Sequence, residues 1–170
     1  MKESFSLQAE GLPITLRAIG PDDLEELRSW KNANKEAFFF KGDITPEMQE
    51  TWFSGYLERP RDFMFMVMHG HSKAGSLGFR MEGTAADCYN IMGAPGGRSP
   101  RAMSQGMKLL CSFIVDKHTR KIGCKVVEGN KAVAWYERQG YRIASQQQGY
   151  VQMSLDVSRF KPLRFSRIEA

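Results

Sequence analysis

The feature of this 170-residue chain that most restricts its fold is an apolar run, "FMFMVM", at residues 63–68. A strand with one face in water alternates apolar and polar side chains, whereas a strand covered on both faces is apolar throughout. The run is also far too short to cross a bilayer. It therefore predicts a central strand of a sheet that has other elements packed on both of its faces.

Patterns on either side of this run predict further strands and helices. "ITLRAI" alternates as a strand with one buried face does, and "DDLEELRSWKN" spaces its apolar residues as a helix does. Thr45 is a good N-cap and Pro46 suits the first position of a second helix, with Met48, Trp52 and Tyr56 on one face. In chain order we predict strand 14–19, helix 22–32, helix 46–59, strands 62–70, 74–82 and 87–93, a helix from 106, strand 121–127, helix 130–140 and strands between 141 and 157. This order predicts one α/β domain, residues 1–170, built on a mixed sheet.

Charge and composition narrow the range of partners. The net charge is +5 and the pI about 9.2, with a basic segment, "SRFKPLRFSRIE", at residues 158–169. So small an excess is typical of a solvated surface, and no nucleic-acid-binding motif accompanies it. The first residues do not form a cationic and apolar leader. We expect a soluble, cytoplasmic protein that binds neither nucleic acid nor a membrane.

The three cysteines, Cys88, Cys111 and Cys124, are odd in number and lack the spacing of a metal site. Reduced, partly buried thiols are therefore predicted, and no metal. A thiol nucleophile is left open by the spacing alone.

One segment, "APGGRSPRAMSQGMKLL" at residues 94–110, begins as a turn and ends as a helix. A helix that follows a flexible turn can bind phosphate on its N-terminal N–H groups. Gly96 and Gly97 lie well before the predicted helix start, and they lengthen the approach to it. The alternative interpretation is an ordinary start of a helix.

A second segment, "VVEGNKAVAWYERQGYR" at residues 126–142, indicates a strand, an Asn-capped short helix, a Gly stop and another strand. It resembles the second half of the GNAT acetyltransferase fold, whose wording is close to N-x-x-A-x-x-x-Y-x-x-x-G-[FY]. The matching residues are Asn130, Val133 or Ala134, Tyr136, Gly140 and Tyr141.

The first third carries a narrower resemblance, so that the likeness spans about residues 12–157. "LRAIGPDDLEELRSWKN" and "ITPEMQETWFSGYLERPRDFMFMV" contain phrases similar to W-[RK]-N and Q-x-x-W-[FY]. Such phrases occur in acetyltransferases of amino-sugar nucleotides, including those of flagellin-sugar pathways, and in ribosomal-protein N-terminal acetyltransferases. The resemblance implies that Trp30, Asn32 and Trp52 contact the substrate; packing between two helices is the alternative for the tryptophans.

The resemblance implies a GNAT fold: a central mixed, mostly antiparallel sheet flanked by helices, with splayed parallel strands that bind acetyl-CoA. Those strands would be Cys88–Met92 and Ile122–Val127. The family's pyrophosphate loop, [RQ]-x-x-G-x-[GA], aligns with a segment in which Ser104 replaces the middle glycine. The implied cofactor-binding residues are Ile91, Met92, Arg101, Ala102, Met103, Ser104, Gln105, Gly106 and Asn130.

The implied activity is direct transfer of acetyl from acetyl-CoA to a primary amine of a small molecule, preferably an amino sugar or a sugar nucleotide. Tyr136 occupies the family position of the general acid, and a phenol is protonated at neutral pH. No general base is assigned, although Asp87, Glu82, His69 and His71 flank the expected cleft. A homodimer is possible, since an exposed edge strand is expected.

Three alternatives remain open at this point. One is a protein N-terminal acetyltransferase of the ribosomal-protein type, and another is a non-catalytic acyl-CoA-binding domain. A dinucleotide-binding oxidoreductase is disfavoured, because the glycine-rich turn comes late and lacks G-x-G-x-x-G.

Overall fold

The computed structural model describes residues 2–96 and 100–170. The strands are β1 (Phe5–Ala9), β2 (Ile14–Ala18), β3 (Asp62–His69), β4 (Ser72–Glu82), β5 (Ala85–Gly93), β6 (Ile122–Val127), β7 (Tyr141–Gln147), β8 (Tyr150–Leu155) and β9 (Phe165–Glu169). The helices are α1 (Leu24–Ala33), α2 (Pro46–Leu57), α3 (Pro100–Lys117) and α4 (Ala132–Arg138). Within the described ranges, no helix is long and apolar enough to cross a membrane.

The strands form one sheet in the order β7-β8-β6-β5-β4-β3-β2-β1-β9. In the described part of the chain β5 and β6 are the parallel pair, and the other neighbours are antiparallel. The predicted mixed, mostly antiparallel sheet flanked by helices is confirmed.

Strand β3 is buried on both faces, as its apolar run predicts. Phe63, Phe65 and Val67 join a core under α3, while Met64 and Met66 join a second core under α1 and α2. Helices thus cover opposite faces of the sheet.

Two strands lie outside the predicted set. Residues 5–9 form β1, in which apolar and polar residues alternate although no strand was predicted there. Strand β9 lies in the basic segment that was assigned to a solvated surface. Phe5 pairs with Glu169 across these strands and is 2% exposed, with the Arg167 guanidinium 4.0 Å from its ring centre. Edge strands carry charged residues on their exposed face, which makes β9 look like surface in the sequence.

The start of α3 also differs from the prediction. The helix begins at Pro100 rather than near Gly106, because proline suits the first turn and because Ala102 and Met103 already face the core. Gly97 lies outside the described residues.

Helix α2 begins as predicted, since the Thr45 side chain accepts a hydrogen bond from the Met48 N–H at 3.2 Å. Its buried face is Gln49, Phe53 and Tyr56, however, and Met48 is 42% exposed. Tyr56 fixes this rotation, because its hydroxyl accepts a hydrogen bond from the Met64 N–H at 3.0 Å.

Helix α4 begins at Ala132, two residues after the predicted cap. Asn130 still serves this end, since its Oδ1 accepts the Ala132 N–H at 2.9 Å. Gly140 follows the last turn with a φ of +98°, as a glycine stop does.

Candidate active site

The parallel strands β5 and β6 separate part of the way along. Their pairing runs from Ala86 opposite Ile122 to Cys88 opposite Cys124. Beyond that pair, β6 continues along β8 to Val127 and β5 continues along β4 to Gly93. The backbone of residues 89–92 therefore has no strand partner on its β6 side within the described chain, and it is free to pair with an extended ligand.

A bulge in β5 drives this separation. The pairing with β4 shifts between Ser76 and Gly78, and Asn90 takes a φ of +51°, which asparagine tolerates better than most residues. Ser76 Oγ donates to the Asn90 carbonyl at 3.3 Å. Bulges bend a strand and redirect its side chains, so this one turns β5 away from β6.

A cavity of about 650 Å³ opens at the separation. Its walls come from α1, α2, the loop before α2, β4, β5, β6, α4, β8 and the residues just before α4. The lining residues are Lys31, Ala37, Phe38, Phe39, Phe40, Trp52, Arg80, Asp87, Cys88, Tyr89, Asn90, Ile91, Lys125, Val126, Asn130, Ala132, Tyr136 and Tyr150.

Tyr136, the predicted general acid, lines this cavity from α4 and is 8% exposed. Its ring meets the Tyr141 ring edge to face, with centroids 5.6 Å apart. Burial raises the pKa of the Tyr136 hydroxyl well above its ordinary value. The hydroxyl thus keeps its proton at neutral pH and can donate it.

Of the four acids and histidines expected to flank the cleft, Asp87 lines the cavity. Glu82, His69 and His71 are exposed and do not line it. Arg80 Nε and a terminal guanidinium nitrogen both contact Asp87 Oδ2 at 3.2 Å, which leaves Oδ1 out of the pair. Burial raises the pKa of Asp87, and the Arg80 charge opposes part of that shift. A buried carboxylate beside Tyr136 is suited to accepting a proton.

The predicted pyrophosphate residues lie within α3 rather than in a loop before it. In a helix that begins at Pro100, the N–H groups from Met103 onward bond within the helix. Ser104 Oγ accepts a hydrogen bond from Gln139 Nε2 at 3.1 Å, and Gln105 is half-buried.

The small residues of this segment serve packing. Ala102 is 1% exposed, and a Cβ on Gly106 would lie 2.9 Å from Val67 Cγ1. Among residues 101–106, Arg101 is the exposed one. In the described part of this segment, the first turn of α3, with Arg101, is therefore the part exposed to solvent.

The other predicted site residues divide between cavity and core. Ile91, Asn130 and Trp52 line the cavity. Met92 and Trp30 are each 8% exposed and pack in the core under α1 and α2, and neither lines this cavity. Met92 lines a smaller adjoining cavity, which shares Lys31 and Trp52 with the main one.

Asn32 has a structural task. Its Oδ1 accepts the Ile44 N–H at 2.7 Å and its Nδ2 donates to the Ile44 carbonyl at 3.0 Å, which fastens the segment before α2 to α1.

Lys31 lies between two residues predicted from the sequence, Trp30 and Asn32, but was not itself predicted. Lys31 lines the cavity, and its Nζ donates to Asn90 Oδ1 at 2.7 Å. The aromatic run at residues 38–40 was also not predicted to line the site. Phe39 and Phe40 are 57% and 51% exposed. Three consecutive phenylalanines before a helix were the available signal.

The three cysteines are free, and each is fully buried, whereas the sequence predicted partly buried thiols. Cys111 Sγ lies 3.5 Å and Cys88 Sγ 3.6 Å from the Tyr141 hydroxyl. No cluster of metal-ligating side chains occurs in the ranges that the structure describes.

Comparisons with known proteins agree with this geometry. No family model matches the sequence, and no curated protein does. Solved structures do match. The nucleotide-linked sugar GNAT FdhC has a TM-score of 0.74 and 13% identity, over 94% of this chain and 93% of that one.

Two other solved structures match over similar lengths. The Vibrio cholerae spermidine N-acetyltransferase, in complex with CoA and spermine, has a TM-score of 0.73 and 18% identity, over 87% of this chain and 98% of that one. A Salmonella typhimurium acetyltransferase that modifies the N-terminal serine of ribosomal protein L7/L12 has a TM-score of 0.70 and 18% identity, over 87% and 96%. The chain therefore has the fold of the GNAT acetyltransferases.

Proposed function

We propose that the protein is an N-acetyltransferase that moves an acetyl group from acetyl-CoA directly to a primary amine of a small molecule. The observation that carries the proposal is the separation of β5 and β6 after Cys88 and Cys124, with Tyr136 lining the cavity at that point. A cavity of about 650 Å³ is of the size that small-molecule sites have.

The residues present fit an acyl-CoA. The unpaired backbone of residues 89–92 can pair with the amides of an extended pantetheine arm, and Ile91 and Asn130 line the same cavity. The first turn of α3 attracts phosphate through its dipole, and Arg101 adds an exposed cation there. When bound, acetyl-CoA supplies an acyl group activated as a thioester.

The chain's own residues would handle two protons. The neutral amine forms a C–N bond to the acyl carbon, and the C–S bond breaks. Asp87 accepts a proton from the amine, directly or through water, and Tyr136 donates a proton to the leaving thiolate. Holding amine and thioester together in one cavity supplies much of the remaining acceleration.

For the acceptor we prefer an amino sugar or a sugar nucleotide, and the likeness to FdhC supports that preference. The likeness to the L7/L12-modifying enzyme supports a protein N-terminus as the second candidate.

A panel assay separates these candidates. The protein is incubated with acetyl-CoA and, in turn, amino-sugar nucleotides, amino sugars, polyamines and peptides with free N-termini, and CoA thiol release is measured. Release with amino sugars or their nucleotides supports the proposal. Release only with peptides transfers it to the second candidate, and tight CoA binding without release in any arm indicates a non-catalytic acyl-CoA-binding domain.

A further inference from the structure

Lys31 is a half-buried cation that the proposed reaction does not use. Its Nζ donates to the neutral Asn90 Oδ1 at 2.7 Å and lies 4.8 Å from the centre of the Phe38 ring. Among the residues that the structure describes, it has no carboxylate in ion-pair range, whereas Lys35 pairs with Asp43 at 3.1 Å. A desolvated ammonium without a counter-ion is costly, which favours an anion that arrives with a ligand.

The charges around the cavity point the same way. Lys31, Arg80 and Lys125 line it, against one carboxylate, Asp87, which Arg80 already contacts. Burial lowers the pKa of Lys31, and the nearby Arg80 charge adds to that effect. A concave site with an excess of one charge concentrates ligands of the opposite charge.

The position of Lys31 is fixed from two sides. Its backbone lies in the last turn of α1, and its hydrogen-bond partner Asn90 lies in the bulge that turns β5 away from β6. Lys31 therefore holds its charge beside the unpaired edge of β5, on the same cavity as Asp87 and Tyr136. The flat rings of Phe38 and Trp52 line that cavity too.

We infer that Lys31 binds an anionic group, a phosphate or a carboxylate, on the acceptor amine. The acceptors are thus amines that carry a negative charge, and not polyamines. This inference rests on the proposed function, because it specifies the acceptor class of the same cavity.

The test measures acceptor binding directly, by calorimetry, for the wild type, Lys31→Met, Lys31→Arg and Lys35→Met. Methionine keeps an unbranched stem against Phe38 but removes the charge. Lys35→Met is the matched control, since Lys35 lies outside the cavity lining. The anionic probes are glucosamine 6-phosphate and the glucosamine analogue with a carboxylate at carbon 6. The other probes are glucosamine itself, which carries no anionic group, and spermidine.

The wild type should bind the phosphate or the carboxylate probe at least about 10-fold more tightly than glucosamine, as a charge-assisted hydrogen bond allows. Lys31→Met should remove that preference, Lys31→Arg should keep most of it, and Lys35→Met should leave it unchanged. Which anionic probe binds more tightly distinguishes phosphate from carboxylate.

The inference would be overturned if the wild type showed no preference for an anionic probe or bound none of the probes. It would also be overturned if Lys31→Met kept an equal preference, or if spermidine bound most tightly. The proposed function fails by a different result, the absence of acetyl-CoA binding in a separate titration.

Discussion

At the residue scale, the proposed reaction depends on Tyr136 holding a proton inside the cavity. Burial raises the pKa of the Tyr136 hydroxyl, so the hydroxyl stays protonated at neutral pH. Its ring packs edge to face against the Tyr141 ring, with centroids 5.6 Å apart.

Tyr136→Phe should lower kcat about 100-fold, because the thiolate then leaves without a positioned proton donor. The dissociation constant for CoA should change little, since the ring is retained. Steady-state kinetics and CoA calorimetry measure the two quantities.

Tyr150→Phe is the matched control, because Tyr150 also lines the cavity but contacts Phe39 rather than Tyr141. Its kcat should remain near that of the wild type. Equal turnover of wild type and Tyr136→Phe would contradict the assignment of the proton donor.

Asp87→Asn should lower kcat/KM about 10- to 100-fold and change its pH dependence. Asp87 accepts a proton only when ionised, so wild-type kcat/KM should fall as the pH falls through the pKa of Asp87, which burial raises above its ordinary value. The asparagine variant has no such group and should lose that acid limb.

Glu82→Gln controls for the charge change around Arg80, because Glu82 also pairs with Arg80, at 3.4 Å, but is exposed. A pH profile of Asp87→Asn with an unchanged acid limb would assign that limb to the acceptor amine instead.

At the element scale, the start of α3 combines core packing with the proposed phosphate contact within two turns. The small residues that suggest a phosphate loop in the sequence instead let α3 approach β3, and Gly106 leaves no room for a Cβ beside Val67. The proposed ligand contact is confined to the first turn.

Gly106→Val should lower the free energy of unfolding by about 2 kcal/mol, because the added atoms overpack the contact with Val67. Lys108→Val, on the exposed side of the same helix, should be nearly neutral. Urea unfolding measures both. If Gly106→Val abolished CoA binding at unchanged stability, Gly106 would be a ligand contact rather than a packing residue.

The sequence predicts most elements of this fold but not all their limits. Strong patterns, such as the apolar run of β3 and the Thr45–Pro46 cap, determine their elements locally. The limits of α3 depend on core contacts made by Ala102 and Met103, and β1 and β9 are stabilised by pairing with each other across the length of the chain. Such long-range pairing leaves only a weak local signal.

The site is predicted in the same uneven way. Tyr136 and Asn130 were found through a resemblance, and the structure brings both to the cavity. Around residue 31 the prediction selected Trp30 and Asn32, whereas Lys31 faces the cavity. Adjacent residues on a helix point about 100° apart, and only the tertiary structure determines which of them faces a cavity.

At the scale of the whole molecule, the terminal strands complete the sheet far from the cavity. Phe165 of β9 meets Phe113 of α3 with ring centroids 6.1 Å apart, and Ser112 Oγ accepts the Leu163 N–H at 2.9 Å. The segment before β9 is thereby fastened to the helix whose first turn faces the proposed ligand.

Phe165→Ala should therefore lower the free energy of unfolding by about 2 kcal/mol, as expected for a partly buried aromatic ring. Ile168→Ala, on the same strand, is the control, because Ile168 is 53% exposed. Chemical denaturation compares the two variants. Equal stability of both variants and the wild type would mean that β9 contributes nothing to the domain.

We propose that the separation of β5 and β6 forms a CoA site, and an amide NMR titration with CoA locates the bound ligand residue by residue. We expect saturable shift changes that are largest at residues 89–92, at Asn130 and Tyr136, and in the first turn of α3. An absence of saturable changes, or changes confined to the basic segment at residues 158–169, would contradict it.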